Sequence, residues 1–178
     1  MRKLTLFFIV LILAGGTPAI AYQSLWEAYQ DAPSYGGYDV YLELDQAIEY
    51  EGPLNIVGGV NVYINGNGAI IHGVNGVSIG VANSNLDIEN CVIVGGIGGI
   101  YVGPQGSGTI NNNTITGMTD AGIRTYYPNQ SVGVFIRNNI ITDCYYGFFG
   151  IEDELPEYIG YNTIYDTWSY RYAEFCPG

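Results

Sequence analysis

A short phrase recurs four times in the second half of this chain: isoleucine, then asparagine or cysteine three places on, then isoleucine two places after that. Its instances are Ile88, Cys91 and Ile93; Ile110, Asn113 and Ile115; Ile136, Asn139 and Ile141; and Ile159, Asn162 and Ile164, offset by 22, 26 and 23 residues. A weaker fifth copy lies 24 residues upstream, with Ile64 and Asn67 in the matching places. Apolar and polar residues alternate inside each copy with no stripe at helical spacing, so the repeating unit is built of short strands. Units of this kind bury their apolar faces only by stacking on one another, which makes the chain a solenoid.

One unit, from Gly108 to about Pro128, contains three strand-like pieces separated by corners: Thr109 to Asn111, Thr114 to Thr116, and Gly122 to Thr125. Gly76-Val77, Gly99-Ile100, Gly122-Ile123 and Gly147-Phe148 are expected to open the third piece in successive units. Each rung is then a triangle whose strands pair in parallel with their copies one rung away at ~4.8 Å, with the isoleucines in inward columns. Asn67, Asn113, Asn139 and Asn162 are predicted to form an amide ladder at one corner, satisfying buried turn backbone and tolerating a left-handed conformation there. Cys91 takes the asparagine place in its copy and is expected to be buried and free.

These Ile-x-Asn-Asn-x-Ile rungs, together with the segment from Ile64 to Gly73 (Ile-Asn-Gly-Asn-Gly-Ala-Ile-Ile-His-Gly), resemble the right-handed parallel β-helix proteins of the pectin-lyase-like superfamily. The resemblance spans roughly residues 54–167 and implies an all-β fold, a right-handed single-stranded parallel β-helix of about five rungs. It implies little about activity, because the same rungs occur in lyases, hydrolases, epimerases and adhesins. The paired aspartates and Gly-His-Gly of the related hydrolases are missing. No motif of the related lyases surrounds Arg124 or Arg137, although a β-eliminating lyase needs a base.

The ends read differently. Arg2 and Lys3 precede the apolar run Leu4 to Ala14, and Ala19, Ile20 and Ala21 make a small-x-small cleavage pattern, so residues 1–21 read as a signal peptide. The expected location is secreted, extracellular or periplasmic, with no membrane contact after cleavage. Residues 22–53 are expected to form an N-terminal cap, in which Ser24 and Glu27 set a capping box for a short helix. Rungs follow over 54–167, and 168–178 form an aromatic tail of Trp168, Tyr170, Tyr172 and Phe175. That tail either folds over the open end or mediates end-to-end self-association. Cys144 and Cys176 are the candidate disulfide, since three cysteines cannot all pair within one chain.

Five basic residues face seventeen acidic ones, and loss of residues 1–21 would shift the formal charge from −12 to −14. A chain so poor in cations has no means of displacing counterions from nucleic acid or anionic lipid, so neither is an expected partner. The expected partner is an extracellular polysaccharide or other glycan. Two outward columns of the first strand support this: Tyr63, Asp87, Thr109, Phe135, Tyr158, and Asn65, Glu89, Asn111, Arg137, Gly160. Aromatic rings beside carboxylates and amides on one face suit a sugar chain, so Tyr63, Asp87, Glu89, Asn111, Phe135 and Tyr158 are the candidate carbohydrate-binding set.

Asp87 and Glu89 project from the same side of one strand, about 7 Å apart, the separation of an inverting carboxylate pair. With Arg137 they are the candidate catalytic residues of a small lyase or glycoside hydrolase, set against a plain acidic strand that keeps the face soluble. The preferred function is a non-catalytic binding or adhesive module. His72, the single histidine, follows two isoleucines at a corner and reads as structural. No cofactor is expected; Glu152, Asp153, Glu154 and Glu157 offer oxygen ligands for Ca2+ but lack the alternating spacing of a calcium loop.

Overall fold

The computed structural model describes residues 22–125, 133–150 and 156–168. After a two-residue strand β1 (Gln23–Ser24) and a short helix α1 (Leu25–Asp31), the chain winds through three-stranded turns. The first turn is β2 (Val40–Glu43), β3 (Glu49–Glu51) and β4 (Leu54–Ile56), and the second is β5 (Asn61–Asn65), β6 (Ile70–His72) and β7 (Val77–Val81). The third holds β8 (Ser84–Glu89), β9 (Val92–Val94) and β10 (Gly98–Val102), and the fourth β11 (Gly106–Asn111), β12 (Thr114–Thr116) and β13 (Ala121–Thr125). The fifth is β14 (Val134–Arg137), β15 (Ile140–Thr142) and β16 (Tyr146–Phe149), and β17 (Tyr158–Gly160) and β18 (Thr163–Tyr165) begin a sixth.

Three parallel sheets result. The site-bearing sheet runs β2-β5-β8-β11-β14-β17, the second runs β1-β3-β6-β9-β12-β15-β18, and the third runs β4-β7-β10-β13-β16. Ile64, Ile88, Ile110, Ile136 and Ile159 align as one inward column, and Ile71, Ile93, Ile115, Ile141 and Ile164 as another. These columns, with Ile79, Ile100, Ile123 and Phe148 from the third sheet, form one continuous core.

The solenoid begins earlier than the repeat count suggests, giving about six turns. Val40 to Glu43 pairs with Val62 to Asn65, and Glu49 to Glu51 with Ile70 to His72. The segment expected as cap thus contains most of the first turn as well as α1. The helix itself follows the sequence: Ser24 Oγ accepts from Glu27 N–H at 3.3 Å, and Leu25 is fully buried over the open end of the core.

The amide ladder is present but one of its expected members is not. Asn113, Asn139 and Asn162 are buried, and the Oδ1 of each accepts from the backbone N–H one turn back: Cys91, Asn113 and Asn139, at 3.0, 2.9 and 2.9 Å. Their Nδ2 groups donate to the carbonyls of Ile88, Ile110 and Ile136. Asn67 lies outside this column, because the corner from Ile64 to Ile71 is two residues longer than the others. Ala69 holds the buried position, with its carbonyl accepting from Val92 N–H as that of Cys91 does from Thr114 N–H. Asn67 is instead exposed with a φ of 51°, its Nδ2 donating to Leu44 O at 3.1 Å.

The left-handed residues of the later corners also differ from expectation. They are Asn90, Asn112, Asn138 and Tyr161, each one place before its ladder residue. The ladder side chains can then point inward while their neighbours absorb the bend. Cys91 is buried as expected, and burial pushes its thiol up to about 12.

The corner entering the third sheet is built on missing side chains. A Cβ on Gly99 would meet Ile115 Cγ2 at 2.7 Å, and one on Gly122 would meet Ile141 Cγ2 at 2.4 Å. Ser78-Ile79, rather than Gly76-Val77, is the second-turn counterpart, since Ile79 pairs with Ile100. The proposed bond from Cys144 to Cys176 and most of the aromatic tail lie outside the described residues. Trp168, the first residue of that tail, is exposed.

Candidate functional site

The outer face of the site-bearing sheet follows from strand alternation alone. Val62 and Ile64 point in, so Asn61, Tyr63 and Asn65 point out, and stacking repeats this on every turn. The predicted columns are present in register: Tyr63 against Asp87, Asn65 against Glu89, Asn111 against Arg137, and Phe135 against Tyr158. The first turn extends them by one member each, Tyr41 beside Tyr63 and Glu43 beside Asn65.

Asp87 and Glu89 are half-buried on β8, and both oxygens of each carboxylate accept hydrogen bonds. Asp87 Oδ1 accepts from Thr109 N–H at 2.8 Å; its Oδ2 accepts from the Tyr38 hydroxyl at 2.8 Å and from Asn85 Nδ2 at 3.4 Å. Glu89 Oε1 accepts from the Tyr63 hydroxyl at 2.5 Å and Oε2 from Asn111 Nδ2 at 3.2 Å. The bond to Asp87 is the largest cause pushing the Tyr38 phenol up to about 12, with burial adding to it. Burial and then the Glu89 bond hold the Tyr63 proton still more firmly. These tyrosines therefore stay neutral donors at physiological pH, fixing both carboxylates in place.

Arg137 is exposed on β14, two turns along the column from Glu89 with Asn111 between them, and among the described residues it forms no ion pair with either carboxylate. The three predicted catalytic residues thus share a face without converging. His72 lies on another sheet, its Nε2 2.9 Å from Glu49 Oε2 and its ring 4.6 Å from that of Tyr22. Arg124, on the third sheet, is committed to Asp120 at 3.0 Å and lies between the rings of Tyr101 and Phe149, at 5.1 and 4.4 Å.

Four tyrosines gather beside the carboxylates, and three of them were not singled out from sequence. Tyr41 and Tyr63 stack at 4.9 Å, Tyr38 lies 5.3 Å from Tyr63, and Tyr35 meets Tyr41 edge-on at 5.0 Å. Tyr35 and Tyr38 come from a hairpin whose Gly36 and Gly37 both have positive φ, 63° and 92°, a conformation glycine adopts without strain. The hairpin carries the Tyr38 hydroxyl to Asp87, two turns away. The repeat period could have revealed Tyr41, which stands 22 residues before Tyr63; nothing periodic marks Tyr38.

Residues 50–172 match the family model for the right handed beta helix region. The chain belongs to the right-handed β-helix family. The likeness to pectin-lyase-like proteins is consistent with that membership, which identifies the scaffold and leaves its face to be interpreted from its own residues. No curated protein and no solved structure matches the chain. Among the described residues of this β-helix no group of three or more His, Cys, Asp or Glu side chains is placed to hold a metal ion. The suggested calcium loop falls largely outside those residues, with only Glu157 described, as exposed. No described helix is long and apolar enough to cross a membrane.

Proposed function

We propose that this protein is an exported β-helix module that binds an extracellular glycan on the outer face of β2, β5, β8, β11, β14 and β17, without transforming it. The observation that carries this reading is the state of Asp87 and Glu89. Each carboxylate uses both oxygens to accept from neighbouring donors, so the pair is organised as part of a fixed polar surface. In an inverting hydrolase one such carboxylate activates a water and the other group delivers a proton, whereas here tyrosine hydroxyls, asparagine amides and a backbone N–H donate to all four oxygens. The tyrosine cluster at one end, Phe135 and Tyr158 at the other, and Asn65 and Asn111 between them supply the mixed aromatic and amide surface that sugars use.

Export is part of the proposal and rests on the charged, then apolar, then small-residue order of residues 1–21. The test is glycan-array binding by the mature chain, paired with assays for new reducing ends and unsaturated products on every glycan retained. Binding without product is the expected result. Turnover that disappears in Asp87→Asn would replace this reading with a small lyase or hydrolase.

A further inference from the structure

The second sheet presents a different outer face. Its strands β6, β9, β12, β15 and β18 are each three residues long and pair in register. Alternation turns the first and last residue of each strand outward. Two columns result: Ile70, Val92, Thr114, Ile140, Thr163 and His72, Val94, Thr116, Thr142, Tyr165. From β9 onward no outward residue is charged, on a chain with seventeen acidic residues, although a water-facing surface ordinarily mixes in charges. All of these but Tyr165 are valine, isoleucine or threonine, whose branched Cβ restricts χ1. Among the described residues no hydrogen bond engages the hydroxyls of Thr114, Thr116, Thr142 or Thr163.

These residues narrow the choice of occupant. Four strands at ~4.8 Å and two columns ~6.6 Å apart cover roughly 200–300 Å², against about 800 Å² per partner in a stable protein interface. A sugar gains most from an open aromatic face, and the rings here, His72 and Tyr165, stand at the two ends of the array. An ionic partner has no opposite charge to meet between them. The complement of such a face is a neutral, flat lattice of hydrogen-bonding groups that repeats as the face does.

We propose that the face from Val92 to Thr163 binds ice. Water oxygens joined tetrahedrally by hydrogen bonds of ~2.75 Å repeat every ~4.5 Å across hexagonal ice and every ~7.3 Å along its axis. The face repeats every ~4.8 Å from turn to turn and every ~6.6 Å along a strand, both intervals set by the backbone, so the mismatch accumulated over four strands is about 1 Å. Threonine hydroxyls with no protein partner supply hydrogen bonds to the lattice, and the methyl groups pack between them. Side chains already stiff at χ1 lose little entropy on docking. A charge at this interface would have to surrender hydration that a neutral lattice does not replace, and the face carries none.

The test is ice-affinity partition of the mature chain, in which a slowly growing ice shell takes up or rejects dissolved protein, together with microscopy of ice coarsening in frozen sucrose solution. Several-fold enrichment in the ice over an acidic globular reference protein, with coarsening arrested, is the expected result. Thr116→Tyr sets a ring in the middle of the array and is expected to bring uptake down to the reference level. Thr142→Tyr repeats the test on the next strand, and circular dichroism with thermal unfolding confirms that each variant is folded. Asn55→Tyr, exposed on the third sheet, is expected to keep the enrichment. Rejection of the unaltered chain by ice overturns the inference. So does enrichment that survives both threonine replacements, or that is lost equally in Asn55→Tyr. Glycan binding, on another sheet, is independent of each of these outcomes.

Discussion

Asn139 shows how one side chain holds two turns together. Its Oδ1 accepts from Asn113 N–H and Nδ2, while its own Nδ2 donates to the carbonyls of Ile110 and Arg137. Asn139→Ala takes the side-chain acceptor from the buried Asn113 N–H and the side-chain donor from Ile110 O, so a loss of ~3 kcal/mol is expected in urea unfolding, at the upper end for one unsatisfied buried group. Tyr38 gives a pH signature. Its phenol is pushed up to about 12 in the folded chain, against about 10 when unfolded. Between those values the unfolded state has released a proton that the folded state keeps, so stability present below pH ~10 is lost as pH rises. Thermal unfolding across that range should show the decline, and Tyr38→Phe should make it shallower.

At the scale of the strand and its corner, register is held from both sides. Inward isoleucines make a slip costly, because moving a strand by one residue would turn its apolar set outward. The glycine corner then allows the third strand to close against the second. Gly122→Ala would place a Cβ 2.4 Å from Ile141 Cγ2 and 2.9 Å from Gly147 O, so a loss of ~1–3 kcal/mol is expected from overpacking. Denaturant titration with an unchanged m-value would confirm that stability changes while the fold does not. Much of this was legible: the Ile columns, Asn113, Asn139 and Asn162 follow from period and alternation. Asn67 was misplaced because a corner two residues longer preserves the spelling of the phrase while moving its asparagine outward. Cys91 accompanies that change. The adjoining turn approaches it so closely that a Cβ on Gly66 would lie 2.6 Å from its Sγ, leaving little room for an asparagine.

For the whole molecule, a formal charge of −12 on a chain with few cations means that self-repulsion opposes the compact state. The melting temperature should rise by a few degrees between ~0.01 and ~0.15 M salt as the Debye length shrinks from ~30 to ~8 Å. Differential scanning calorimetry checks this. The order of the chain alone determined a parallel solenoid, its inward isoleucines, its ladder and the two outward columns, because period-2 alternation and a fixed repeat leave no other way to bury those side chains. Tertiary structure decided that the coil starts at Val40 and that Tyr38 clasps Asp87. It also decided that the carboxylates are held by neutral donors, since contacts between turns depend on how far a hairpin reaches and which oxygen it meets, and neither quantity repeats along the sequence.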